Sequence, residues 1–178
     1  FGRQISCTLD RYGDLIHNIM LEITLPAIGS SSKNVSWINS IGHHIIEEVE
    51  IEVGGMVIDK YDGQWLEINS EVTIPNSHQN GYLKMIAKNE VFNNVTQKGE
   101  LKLYIPLRFW FCKNIGMALP IIALQYHEVK VNIRLRKFKE CWYSGSTPSG
   151  EMSSVTPDPV DIQKCTLYCD YVFLDTHE

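Results

Sequence analysis

The stretch Pro106–Arg136, PLRFWFCKNIGMALPIIALQYHEVKVNIRLR, decides the fold. Its second part alternates without a fault. Val129, Val131, Ile133 and Leu135 point one way, and Lys130, Asn132, Arg134 and Arg136 point the other. Successive side chains of a strand project to opposite faces, so this is a strand with one dry face and one wet face. The first part cannot be read that way. Phe109, Trp110 and Phe111 are consecutive, and three consecutive aromatics cannot share one strand face. They suit a short helical or irregular plug over the open end of a sandwich, with Trp110 buried in it. Gly116 and Pro120 close the plug, and Ile121–Leu124 begins an apolar run that feeds the strand.

The same alternation recurs along the chain. Ile5, Cys7 and Leu9 share a face; the turn Arg11–Asp14 follows; Leu21, Ile23 and Leu25 then alternate with Glu22 and Thr24 up to Pro26. A strand is predicted over His43–Val53, with Val49, Ile51 and Val53 opposed to Glu48, Glu50 and Glu52. Gly54-Gly55 reads as a two-residue hairpin turn, and Met56–Lys60 returns. Leu101, Leu103 and Ile105 mark another strand. The last runs over Lys164–Leu174. Between strands, Asp62–Ile74 changes period: Asp62 is a candidate N-cap, and Trp65, Leu66, Ile68 and Val72 fit a helical face. Tyr82–Ala87 suggests a further helical turn or two. The Phe138–Val160 segment, dense in Gly, Ser, Thr and Pro, reads as a long loop. About eight strands with long loops predict an all-β fold, an eight-stranded antiparallel jelly-roll sandwich with short helical insertions.

The 178 residues suffice for a single domain over 1–178, and 44% hydrophobic with 21% charged residues is an ordinary globular balance. A net charge of −5 argues against a surface that coats nucleic acid, which would be basic. No run of apolar residues is long enough for a membrane-spanning helix, and the opening FGRQISCTLDRYGD has no apolar signal-peptide segment. The chain starts at Phe1 rather than Met, so a fragment is expected. The five cysteines are odd in number and lack CxxC spacing, which speaks against zinc and against a disulfide framework. Cys165 and Cys169 are expected as small core residues.

Little in the chain has the spacing of an active site. A jelly-roll metal centre needs two histidines one residue apart, so that both project to one face. His43 and His44 are adjacent and would diverge on a strand, so neither metal nor cofactor is expected with Glu47. His127-Glu128 reads as a structural or interface pair, and Glu48, Glu50 and Glu52 as a solvated face. No nucleophile elbow or phosphate loop is present in the sequence, and no catalytic residue is assigned. Asn34 and Asn94 head glycosylation triplets, which are common by chance. Trp142-Tyr143 is the one candidate for the exposed aromatic surface of a carbohydrate-binding jelly-roll module, the alternative to a structural role.

Several stretches together resemble the N-terminal jelly roll of the major capsid protein of nucleocytoplasmic large DNA viruses, the iridovirus, phycodnavirus and giant-virus group. They are FGRQISCTLDRYGDLIHNIMLEITLP at Phe1–Pro26, VSWINSIGHHIIEEVEIEVGGMVIDKYDGQWLEI at Val35–Ile68, LYIPLRFWFCKNIGMALPIIALQYHEVKVNI at Leu103–Ile133, and the terminal YVFLDTHE. The resemblance implies a non-enzymatic structural protein with two jelly rolls in tandem, of which residues 1–178 would be the first and the second is absent. It implies homotrimers forming pseudo-hexagonal capsomers that tile an icosahedral shell, in contact with neighbouring capsomers and minor capsid proteins. An internal viral membrane would lie nearby without insertion, nucleic acid would not be touched directly, and assembly would take place in the host cytoplasm. The last strand is apolar on both faces. Tyr168, Val172 and Leu174 form a row opposite Cys165, Leu167 and Cys169, and that row is the candidate interface.

Overall fold

The structure, a computed structural model, describes residues 1–28, 35–88, 99–144 and 158–175. Among them are nine strands: β1 (Gln4–Thr8), β2 (Leu15–Leu25), β3 (Val35–Trp37), β4 (Ile46–Val53), β5 (Met56–Tyr61), β6 (Leu101–Leu107), β7 (Val129–Leu135), β8 (Trp142–Ser144) and β9 (Lys164–Val172). Seven of them build two facing sheets, ordered β1-β7-β4-β5 and β6-β2-β9, and every pairing is antiparallel. The fold is thus an all-β jelly-roll sandwich. The remaining two, β3 and β8, pair as a separate ribbon, where the sequence predicted a loop at 142–144. A three-residue strand is too short to show a period.

Burial follows the alternation. The four inward residues of β7, Val129, Val131, Ile133 and Leu135, lie in one core with Val49 and Ile51 of β4 and Leu21, Ile23 and Leu25 of β2. On the outer face of β7, Asn132 is buried as well: it donates to Glu50 Oε1 (3.0 Å) and Glu52 Oε2 (3.3 Å). Glu48 accepts Lys60 at 2.7 Å and Arg134 at 3.0 Å. The three carboxylates are therefore cross-strand partners and not merely solvated. Along β2, Ile16 and Ile19 are both buried although three apart; a register shift opposite β9 between them turns the chain by one residue. Gly54 and Gly55 have φ of 58° and 87°, the left-handed pair that a two-residue hairpin turn requires.

The plug is present, with different residues inside. Phe109 and Phe111 are fully buried and stacked, with centroids 5.6 Å apart at 11°. Trp110, expected to be buried, is only half-buried and meets Phe111 edge-on at 5.0 Å. The reason is local. Phe109 is still extended, and the 3-10 turn at Trp110–Cys112 then swings the middle ring to the rim while its neighbours point inward.

Three helices lie beside the sandwich: α1 (Ile41–His44), α2 (Gly63–Thr73) and α3 (Asn76–Met85). The predicted strand at His43 therefore starts only at Ile46, after a short helix. Asp62 caps α2 as expected, its Oδ1 accepting from Trp65 N at 2.7 Å. The buried face of α2 is Gly63, Leu66 and Ser70, whereas Trp65, Ile68 and Val72 face outward. Small residues are favoured inside because the helix comes very close: a Cβ on Gly63 would sit 2.2 Å from His43 O and 2.5 Å from Ile46 O.

Two substitutions test this packing. Phe109→Ala should lower stability by about 3–5 kcal/mol, and Trp110→Ala by distinctly less, because its ring already meets water. Gly63→Ala should cost about 1–3 kcal/mol as α2 is pushed off the carbonyls. Urea unfolding midpoints at unchanged m-value report all three, and equal losses for Phe109 and Trp110 would contradict the plug geometry.

Candidate functional site

The outer face of β9 carries the residues singled out from the sequence. Tyr168 is 48% exposed, and its hydroxyl donates to Glu22 Oε2 at 2.7 Å. Glu22 projects from the outer face of β2, yet it is buried. Lys164 closes over it from the other side, with Nζ 3.2 Å from Oε1. The register explains the clasp. Glu22 lies opposite Thr166, so Tyr168 and Lys164 are its two diagonal neighbours on β9. The Tyr168 hydrogen bond, helped by Lys164, holds the Glu22 carboxyl below its usual range, and the carboxylate in turn raises both Tyr168 and Lys164.

The row is less uniform than the alternation suggested. Asp170 stands between Tyr168 and Val172 and accepts from Asn18 Nδ2 at 3.1 Å. Strand β9 ends at Val172, so Leu174 lies beyond it; its backbone N–H donates to Asp14 Oδ2 at 2.8 Å and its side chain is 49% exposed. On the inner side, Leu167, Cys169 and Tyr171 pack against the core, while Cys165, expected inside, is exposed at the start of this edge strand. Past the strand end, Phe173, Tyr12, Ile122 and Tyr126 surround a cleft of about 510 Å³.

The histidines go separate ways. His43 is buried, with Nδ1 2.6 Å from Glu67 Oε2 and Nε2 2.8 Å from the Tyr82 hydroxyl. His44 Nε2 instead lies 2.8 Å from Glu140 O. They diverge on a helical turn rather than a strand, and among the described residues no group of three His, Cys, Asp or Glu side chains is placed to hold a metal. All five thiols are shifted upward, chiefly by burial, with Cys141 and Cys169 pushed up to about 12. Trp142 is half-buried, tilted against Phe138 at 6.4 Å, so it offers no open stacking platform; Tyr143 is exposed. Asn34 and Asn94 lie outside the described residues. Glu22, Glu67 and Tyr82 carry no signal in the sequence, because nothing in a single strand or helix reveals which distant partner it will meet.

Facing antiparallel sheets with an aromatic plug define a jelly-roll domain, and comparison with known proteins makes the class specific. The family described as major capsid protein N-terminus matches residues 1–175. The major capsid protein of Phaeocystis pouchetii virus is 35% identical over the whole of this chain and 40% of its own length. That of Paramecium bursaria Chlorella virus 1 is 31% identical over the whole chain and 38% of its length. Among solved structures, a quasi-atomic model of the PBCV-1 virus capsid superposes with a TM-score of 0.74 at 30% identity, covering 99% of this chain and 40% of that one. The Faustovirus major capsid protein reaches 0.77 at 10% identity over 99% of this chain and 52% of that one, a likeness of fold. The chain belongs to the major capsid protein family of large DNA viruses, in its N-terminal part. It spans 32–42% of the length of the curated relatives it matches.

The clasp on Glu22 predicts a pH effect with a definite sign. Its folded carboxyl titrates lower than the unfolded one, so its contribution to stability is present above the unfolded value, near 4.3, and is lost as pH falls through the folded value. Tyr168→Phe should move the Glu22 titration, followed by carboxyl-carbon NMR, back up towards the ordinary range. An unmoved titration would show that the hydroxyl does not hold the carboxylate.

Proposed function

We propose that this chain is the first of two jelly rolls in a virion capsid protein that acts structurally and catalyses nothing. Three copies of the whole protein would form a pseudo-hexagonal capsomer, and capsomers would tile an icosahedral shell, meeting one another and minor capsid proteins. The shell would enclose a membrane that the protein does not enter, with assembly in the host cytoplasm. The observation that carries this reading is the family match across residues 1–175, with relatives that are themselves major capsid proteins. The chain's 32–42% share of those relatives' length supports the tandem arrangement. Its chemistry agrees with a structural role: the thiols are held protonated, and the buried imidazole is closed off between two helices.

Within that reading, Tyr168, Val172 and Leu174 form a contact surface for the second jelly roll or a neighbouring subunit. Tyr168 and Val172 lie on the outside of β9, an edge strand among the described residues, Leu174 follows just past its end, and exposed apolar area there supports an interaction site. Sugar binding is the weaker alternative, since Trp142 is turned into the Phe138 contact.

The test is sedimentation of the full reading frame beside the 178-residue chain. The full protein should run as a trimer over a wide concentration range. The shorter chain should bind more hydrophobic dye, and Val172→Asp with Leu174→Asp should abolish the excess. Monomers throughout would count against the capsomer reading, and equal dye binding would remove the row from the interface.

A further inference from the structure

Two clefts on the helix side of the sandwich share a wall. The first, of about 790 Å³, lies between β5, the start of α2 and the plug. The second, of about 780 Å³, lies between α2, α3 and the plug. Arg108 and Lys113 line both, so the two run into one groove. Its α2 wall is Trp65, Asn69 and Thr73, whose spacing puts them on one side of the helix. From Trp65 to Thr73 the helix rises about 12 Å, the length of about four extended residues.

The groove is aromatic at one end and aliphatic at the other. Trp65, 37% exposed, and the half-buried Trp110 flank the first cleft, while Ile74 and Met85 line the second. Between them are two cations without a counter-charge. The carboxylates of the first cleft are all engaged: Glu48 by Lys60 and Arg134, Asp59 by the Lys60 N–H at 2.9 Å, and Asp62 by the Trp65 N–H. No carboxylate is among the described residues that line the second. Asp170, which shares a further hollow with Arg108, accepts from Asn18. Among the described residues neither Arg108 nor Lys113 makes an ion pair. Lys113 is exposed, and Arg108 is half-buried with its guanidinium 5.8 Å over the Tyr82 ring. Arg108 Nε is out of contact with water and has no hydrogen-bond partner among the described residues.

We propose that this groove binds an acidic, partly apolar peptide segment of another protein, with a carboxylate on Arg108 and Lys113 and an apolar side chain against Trp65 and Trp110. A buried guanidinium N–H without an acceptor is costly, and a carboxylate is the acceptor that the arginine fork fits, two bonds at a time and with opposite charge. A planar cation already held over a ring loses little freedom when that acceptor arrives. Lys113 adds a second charge from the rim. The indole faces supply apolar area beside the charged contact, the combination that anchors peptides at interfaces. The same groove suits a polyanion poorly. Two unpaired cations are few, and Glu48, Asp59 and Asp62 line its first cleft on a chain of net charge −5. None of Tyr168, Val172 and Leu174 lines it, so it is a second surface, independent of the capsomer reading.

The experiment is an NMR titration of the 178-residue chain with a short end-capped peptide that alternates glutamate and leucine. The indole N–H signals make the readout local. Those of Trp65 and Trp110 should shift, while those of Trp37 and Trp142, packed around Phe138, should stay in place. Exchanging the peptide's glutamates for glutamines should weaken binding about tenfold, and added salt should weaken the glutamate peptide as well. Arg108→Gln should cost about tenfold or more, and Lys113→Gln, at an exposed position, about threefold. The Lys113 variant serves if the Arg108 variant does not fold. Unmoved Trp65 and Trp110 signals at about 1 mM peptide would overturn the proposal. So would equal affinity for the glutamine peptide, or binding that Lys113→Gln leaves unchanged. Tighter binding of a single-stranded oligothymidylate at the same signals would assign the groove to a polyanion instead. Shifts of these signals with protein concentration alone would assign it to a second copy of the chain.

Discussion

One strand carries the three-stranded sheet. β2 pairs with β6 on one side and β9 on the other, and every residue from Leu21 to Leu25 is buried. Inward, Leu21, Ile23 and Leu25 meet the core. Outward, Glu22 and Thr24 are buried as well, and a carboxylate taken out of water is costly unless its oxygens are satisfied. The flanking strand has to supply the partners, so the outer face of β9 is constrained at Lys164 and Tyr168, the two diagonal neighbours of Glu22. Tyr168 therefore satisfies Glu22 through its hydroxyl while its ring stays exposed, part of the proposed contact surface.

The sequence reading succeeded where a single period governs many residues. Strand β7 alternates over its whole length, and β2 and β4 over most of theirs, because one face of each meets the same core. Short or bent segments escaped it. A strand of three residues such as β3 or β8 has no period to detect, and the turn at His43 occupies four residues. In the plug, the composition showed that three rings could not share a face, and only the backbone turn decides that Phe109 and Phe111 go in while Trp110 stays at the rim.

Helix α2 shows a different failure. Its apolar residues were assigned to the buried face, as hydrophobic periodicity ordinarily dictates. The helix instead approaches the carbonyls of His43 and Ile46 so closely that only Gly63 fits at the contact, and Leu66 is the one large apolar residue inside. Close backbone approach and a polar bridge add to the apolar anchors Leu66, Ile86 and Ala87. Neither has a periodic signature, which is why Glu67 and Tyr82 could not be paired with His43 in advance.

The distribution of charge favours one side of the molecule for contact. The outer face of the β1-β7-β4-β5 sheet carries the cross-strand pairs of Lys60 and Arg134 on Glu48 and of Asn132 on Glu50 and Glu52, and the pair of Lys130 with Glu128 two residues before it. Such a face is internally satisfied, and burying it would strip water from every pair for little return. The end of the sandwich beyond β9 is the opposite. Phe173 is 71% exposed and Tyr126 94%, around a cleft shared with Tyr12 and Ile122, and Leu174 adjoins them along the chain. Aromatic side chains there have large apolar area and few internal partners to lose, the composition found at the centres of protein interfaces. The proposed contact surface at Tyr168 and Val172 thus gains area by turning the corner at Leu174 onto this end, and the carboxylate of Asp14, which accepts the Leu174 N–H, fixes the chain where it makes that turn.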